Sequence, residues 1–276
     1  MNLFKFYRLD FCLRNLGLGL IGIFSLDKIP SIWLAALSLF QILLIQMSSF
    51  SMNNYFDYKA WKEDNYIGFL LNQGFGESLI IVLTLLPLAV LAFTIPFSNA
   101  FFVILVLYTV LFFIYQSPLG RLKNHYFSSI VINSLCLGSI LYIYPYLFLS
   151  GKISMIAGVF SIIFFLYLGF HEVIHQIAHF GKDRLYSLPK VIGIRKTIMV
   201  AELFLLAAIL TAIFALYVDP RKYFCFSGTI VFSLLRLYKL RKLPQIKTSF
   251  EALRNRKDKF YSFQEGVYYL LFLIWR

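Results

Sequence analysis

Apolar runs recur from one end of this chain to the other, each near the length needed to cross a bilayer. A spanning helix needs about 20 mainly apolar residues, because the hydrocarbon core is about 30 Å thick and a helix rises about 1.5 Å per residue. Nine stretches meet or approach that length: 10–26, 30–52, 77–96, 99–116, 127–148, 153–176, 197–218, 222–238 and 260–275. Lipid offers no partner to backbone N–H and C=O groups, so such stretches must pair their own as helices. Pro30, Pro96 and Pro220 mark turns between the runs, and Pro145, inside the fifth, predicts a kink. No long polar linker separates the runs. The expected fold is all-α, a polytopic integral membrane protein of about nine helices in one bundle, with residues 1–276 as a single domain.

Composition supports the same reading. Hydrophobic residues make up 60% of the chain and charged residues 14%, against about 25% charged in soluble domains. The formal net charge is +13. On a soluble protein that excess would suggest nucleic acid. Here the charges sit in short loops between apolar runs, which points to membrane topology or an anionic substrate, with no nucleic acid partner. Sorting the 26 basic residues by loop puts 21 on one side, leaving Lys28, Lys152, Arg221, Lys222 and Arg276 on the other. The positive-inside rule then places the N-terminus in the cytoplasm and the C-terminus outside, in a bacterial or archaeal-type cell membrane. Met1–Asp10 carries Lys5, Arg8 and Asp10 and no cleavable signal pattern. Cys12, Cys136 and Cys225 are odd in number, widely spaced and in or near apolar runs, so they read as packing residues. No obligate protein partner is evident.

The loops on the cytoplasmic side, near 53–76, 115–126, 177–196 and 239–259, are the long polar ones. In the first, Asn53 and Asp57 are four apart and share a helix face; if the second helix continues far enough, Asp64 falls within about 20° of Asp57. In the third, Glu172, Gln176, His179 and Asp183 are spaced 4, 3 and 4 and fall within about 60° of one another on a continuous helix. Polar side chains at the end of a membrane span are costly and mark function by default. Oxygen-rich stripes followed by Lys and Arg suit a diphosphate bridged by Mg²⁺. Helix capping and solvation at the membrane boundary would use the same residues without a ligand. In the middle loop, Arg121 and Lys123 can neutralise phosphate oxygens and Tyr115 can hydrogen-bond a leaving group. The last loop, with many Lys and Arg, suits contact with anionic lipid.

A rival motif runs through the third loop. His171-Glu172-Val173-Ile174-His175 matches H-E-x-x-H, a zinc-protease pattern in which both histidines bind the metal and the glutamate is the base. Glu202 and Glu265 are the available acids for a third ligand, and neither stands out.

Together the loops resemble the UbiA superfamily of membrane prenyltransferases, which has nine transmembrane helices and aspartate-rich motifs after the second and sixth. Against the family's N-D-x-x-D-x-x-x-D, this chain has Asn53, Asn54, Asp57 and Trp61, with Asp64 as a nearby acid. Against H-Q-x-x-D-x-x-x-D-R followed by T-L-P, it has His175, Gln176, His179, Asp183 and Arg184, then Ser187-Leu188-Pro189. Tyr115 through Lys123, with Asn133 further on, resembles the family's Y-x-x-P-x-x-x-L-K segment. Three usual acids are missing, at 54, 61 and 179.

The resemblance implies that Mg²⁺, bound by Asn53, Asp57, Asp64, Glu172, His179 and Asp183, engages an isoprenyl diphosphate. Asn53, Lys59, Arg121, Lys123, Gln176, Lys182 and Arg184 would hold the diphosphate, with Asp57, Asp183 and Tyr115 as catalytic residues. Ionisation would give an allylic cation in an apolar, aromatic cavity, and a hydrophobic acceptor, aromatic or lipid-like, would attack it. Aromatic faces stabilise cations, and the chain has 31 Phe and 18 Tyr. Membrane lipids are the surrounding partner. A terpene cyclase that needs no acceptor, a non-catalytic lipid-binding protein and the zinc protease are the alternatives.

Overall fold

The inside-out pattern of one helix explains how the chain sits in its solvent. Between Ile194 and Val218, Ala201, Leu205, Ala208, Ala212 and Ala215 are fully buried, while Leu203, Leu210, Ile213, Phe214 and Tyr217 are at least half exposed. Small residues face the protein and bulky apolar ones face outward. A water-soluble helix would hide the bulky ones; a lipid-facing helix uses the small ones to approach its neighbours closely.

This computed structural model describes residues 1–28, 30–94, 100–117, 122–180, 187–219, 223–242 and 262–274. The regular elements among them are helices. A short α1 (Leu3–Phe6) leads into α2 (Leu9–Phe24), α3 (Ile32–Trp61), α4 (Tyr66–Asn72), α5 (Glu77–Thr94) and α6 (Ala100–Gln116). After a 3-10 turn at Leu122–Asn124 come α7 (Tyr126–Asn133), a π-helical stretch (Ser134–Ile140) and α8 (Leu141–Ser150). Then follow α9 (Met155–Ala178), α10 (Leu188–Ile192), α11 (Ile194–Val218), α12 (Tyr223–Lys242) and α13 (Ser262–Ile274). Among the described residues, each apolar stretch overlaps a helix or, for the fifth, the continuous run from α7 through α8. Five segments are long and apolar enough to cross a membrane: α3, α5, Tyr126–Ser150, α9 and α11. With apolar residues such as Phe93, Leu203 and Leu210 turned outward, the molecule is an integral membrane protein.

Two local features position the site. The π-helical stretch lies just before Pro145, which removes a backbone donor inside α8. Gly138 in this stretch lets α9 come close: a Cβ there would lie 2.6 Å from the carbonyl oxygen of Phe164. The main apolar core lies around α9, where Phe160, Ile163, Phe170 and Val173 are fully buried and pack with α11 alanines. A second cluster joins α3, α6 and the α7–α8 run through Ile42, Ile45, Tyr108 and Leu141.

Candidate active site

α3 carries a polar inner face. Ser38, Gln41, Gln46, Ser48, Ser49, Ser51, Asn54 and Asp57 are all buried. The deeper ones are partnered across the bundle: Gln41 donates to the Thr94 carbonyl (2.9 Å) and accepts from Tyr144 (2.6 Å), and Ser48 donates to the Thr84 carbonyl (2.7 Å). The helix continues nine residues past the expected end of the apolar stretch and delivers Asn53 and Asp57 one turn apart. It stops at Lys62, which has a left-handed backbone (φ 53°). Asn65 then fixes the turn, donating to the Asn54 carbonyl (2.9 Å) and capping α4 at Gly68 (2.9 Å).

The α6–α7 connection meets this end of α3. Lys123 Nζ lies 2.6 and 2.7 Å from the two carboxylate oxygens of Asp57 and 3.1 Å from Asn53 Oδ1. Asn53 Nδ2 donates to Asp57 at 2.8 Å, closing the cluster. Beside it a second network forms. Glu172 accepts from Ser129 (2.6 Å) and from Asn133 (3.0 Å), and Asn133 also donates to the Tyr115 oxygen (3.1 Å). Since Ser129 spends its proton on Glu172, the contact between Tyr115 and Ser129 (3.2 Å) leaves Tyr115 as the donor. The Tyr115 proton therefore points into the network, while the side chain forms part of a cleft wall.

The two clusters share that cleft. Phe56, Asp57, Ala60, Trp61, Tyr115, Gln116, Lys123 and Asn124 line it, and it is partly open to solvent. It combines a carboxylate, an ammonium, two amides and three aromatic rings. Such a combination suits a ligand with an anionic head and an apolar tail.

No protein-family model matches the chain, and neither does any curated protein sequence. Solved structures do. A UbiA homologue from Archaeoglobus fulgidus superposes with a TM-score of 0.77 at 12% identity, over 99% of both chains. A structure of a UbiA homologue from that organism bound to DMAPP and Mg²⁺ gives 0.76 at 13%, again over 99% of both. A digeranylgeranylglyceryl phosphate synthase gives 0.68 at 14%, over 99% of this chain and 98% of that one. This chain has the UbiA fold. At these identities the likeness is one of fold.

On this UbiA fold, the expected site residues divide. Asn53, Asp57, Lys123 and Tyr115 meet around the cleft. Glu172 lies behind Tyr115, both carboxylate oxygens occupied. Lys59 turns away and pairs with Glu77 (2.8 Å), which also accepts from Tyr55. Asp64 is exposed in the turn after α3, because the helix ends before reaching it; it does not share the Asp57 face. Gln176 is buried with both ends of its amide in use, donating to the Tyr126 carbonyl (3.2 Å) and accepting from Leu188 N–H (2.8 Å). It ties α9 to the first residues of α7 and α10. His179 ends α9, its ring 4.4 Å from that of His175. Arg121, Lys182, Asp183 and Arg184 lie outside the described residues. Among those described, no three His, Cys, Asp or Glu side chains gather as a metal cage, and the glutamate of the H-E-x-x-H match is bound to Ser129 and Asn133.

One charged network joins two charges set inside apolar stretches, a pairing the sequence does not show. Arg236 on α12 and Glu265 on α13 form a buried ion pair (2.5 Å), their side chains 1% and 4% exposed. The Arg236 guanidinium lies over the Tyr167 ring at 4.5 Å. Tyr167 contacts the Ser233 hydroxyl (2.9 Å) and donates to the Thr229 carbonyl (3.0 Å), and Tyr269 donates to Glu265 (3.0 Å). This network ties α9, α12 and α13 together inside the bundle.

Proposed function

We propose that this protein is a membrane prenyltransferase of the UbiA type, acting as a single domain on an isoprenyl diphosphate and a hydrophobic acceptor. The observation that carries this reading is the Asn53–Asp57–Lys123 cluster on a cleft with aromatic walls, set in a UbiA fold. The A. fulgidus homologues were solved with DMAPP or GPP and Mg²⁺.

The donors fit magnesium. Mg²⁺ prefers hard oxygen, keeps several waters and needs only one or two carboxylates when phosphate oxygens supply the rest. Asp57 and the Asn53 amide oxygen would offer such a set once a cation takes the place of Lys123 Nζ, which holds all three oxygens here, with Asp183 as the acid proposed to face them. Bound there with the diphosphate, Mg²⁺ supplies charge neutralisation on the leaving group. The residues of the chain do the remainder. Lys123, released from Asp57 by the cation, would give its positive charge to diphosphate oxygens beside it. Arg121, Lys182 and Arg184 are proposed to extend that positive field. Phe56, Trp61 and Tyr115 offer ring faces to the allylic end of the substrate. Asn133 and Ser129 fix Tyr115, so its oxygen and ring rather than its proton meet the substrate. The proposed orientation has this end of the bundle at the cytoplasmic face, which the basic loops support through the positive-inside rule.

Mass spectrometry of products from purified protein, Mg²⁺ and prenyl diphosphates of increasing length, with and without acceptors, tests the reading. A prenylated acceptor supports transfer. A cyclic terpenoid formed without acceptor identifies a cyclase, and no turnover with any combination contradicts an enzymatic role.

A further inference from the structure

Gln116 is the last residue of α6 and lines the cleft beside Tyr115, Asp57 and Lys123. It is 8% exposed, and neither its Nε2 nor its Oε1 has a hydrogen-bond partner. Of the other buried glutamines on α3 and α9, Gln41 and Gln176 have both ends of the side chain satisfied and Gln46 lacks a partner only at Nε2, its Oε1 accepting from Asn15; Gln116 lacks one at both ends. A buried amide without partners has given up its hydrogen bonds with water for nothing in return, so its presence calls for a partner from outside the chain. That partner must accept from Nε2 and also give a donor or a cation to Oε1. A bare phosphate group only accepts. A hydrated metal–diphosphate does both, through its phosphate oxygens and the waters of its cation.

We propose that Gln116 is a ligand-binding residue of this cleft, its Nε2 donating to the diphosphate and its Oε1 accepting from a water on the accompanying cation. This inference rests on the function proposed above. It also bears on the acids absent at positions 54, 61 and 179, because Gln116 places a hard amide oxygen on the cleft where carboxylates are few. Ser117, next in the chain and 1% exposed, likewise holds a buried hydroxyl without a partner. The turn leaving α6 is thus short of hydrogen bonds at two successive side chains.

The test is isothermal titration calorimetry of the full-length protein in detergent, with inorganic pyrophosphate and Mg²⁺ as the probe. Gln116→Met keeps the length of the side chain and removes the amide. It should bind Mg²⁺–pyrophosphate about ten- to a hundredfold more weakly than the wild type, with a melting temperature equal to or above the wild-type value. Should that variant fail to fold, Gln116→Glu carries the test: it removes the donor, sets a negative charge against phosphate, and should weaken binding by about tenfold or more. Wild-type affinity in a folded variant would overturn the inference, marking Gln116 as a water-filled structural position or a contact for the acceptor. Absence of pyrophosphate binding in the wild type would instead contradict the functional reading itself.

Discussion

Lys123 Nζ is held between both carboxylate oxygens of Asp57, at 2.6 and 2.7 Å, although 66 residues separate the two in the chain. The pair is largely shielded, with side chains 24% and 10% exposed, so each charge depends on the other. Removing Lys123 alone leaves a shielded carboxylate without its cation. Lys123→Met should cost about 1.5–3 kcal/mol of stability and greatly weaken pyrophosphate binding. Adding Asp57→Asn should recover much of the stability and none of the binding. Thermal unfolding of the two singles and the double checks this; additive losses would mean the pair is not coupled.

The sequence located the helices well because apolar length is a strong local signal, and Asn53 and Asp57 were legible because residues four apart share a helix face. Asp64 was misplaced by the same logic. Its position depended on the helix continuing, and a left-handed Lys62 ended it. Lys59 was assigned to the diphosphate through the family resemblance, whereas its partner Glu77 opens α5, beyond α4 in the chain. Glu172 fell on an acidic stripe and read as a metal ligand, but its oxygens go to Ser129 and Asn133, which only the packing of α7 on α9 brings near. Gln116 was passed over beside Tyr115, since an unsatisfied amide is visible only once its surroundings are known.

Tyr115 and Glu172 should behave as one unit. Tyr115→Phe removes the oxygen that Asn133 holds and should lower turnover by about tenfold. Glu172→Ala frees Ser129 and Asn133 and should act through the same tyrosine. The double variant should therefore lose little more than the worse single. Steady-state kinetics of the three proteins decides this, and fully additive losses would separate the two residues.

The Arg236–Glu265 pair is expected to hold the C-terminal helices in place. Glu265→Ala leaves Arg236 buried beside Tyr167 without its carboxylate and should cost about 3–5 kcal/mol, seen as a marked fall in melting temperature in detergent. Replacing both with Met and Leu should restore most of it. Wild-type stability in Glu265→Ala would show that the pair is dispensable.

The uneven split of basic residues implies an N-terminus in the cytoplasm and a C-terminus outside. Reporter fusions or cysteine labelling at each end check this in cells. Two ends on the same side would rule out an odd number of crossings.

The most direct test of the central claim is diphosphate release from a prenyl diphosphate by purified protein, with and without Mg²⁺, in the wild type and in Asp57→Asn and Asp183→Asn. The expected result is Mg²⁺-dependent release in the wild type, falling at least about a hundredfold in each variant while both remain folded. Release that is independent of Mg²⁺, or near-normal in Asp57→Asn, would contradict the assignment of this cleft as the diphosphate site.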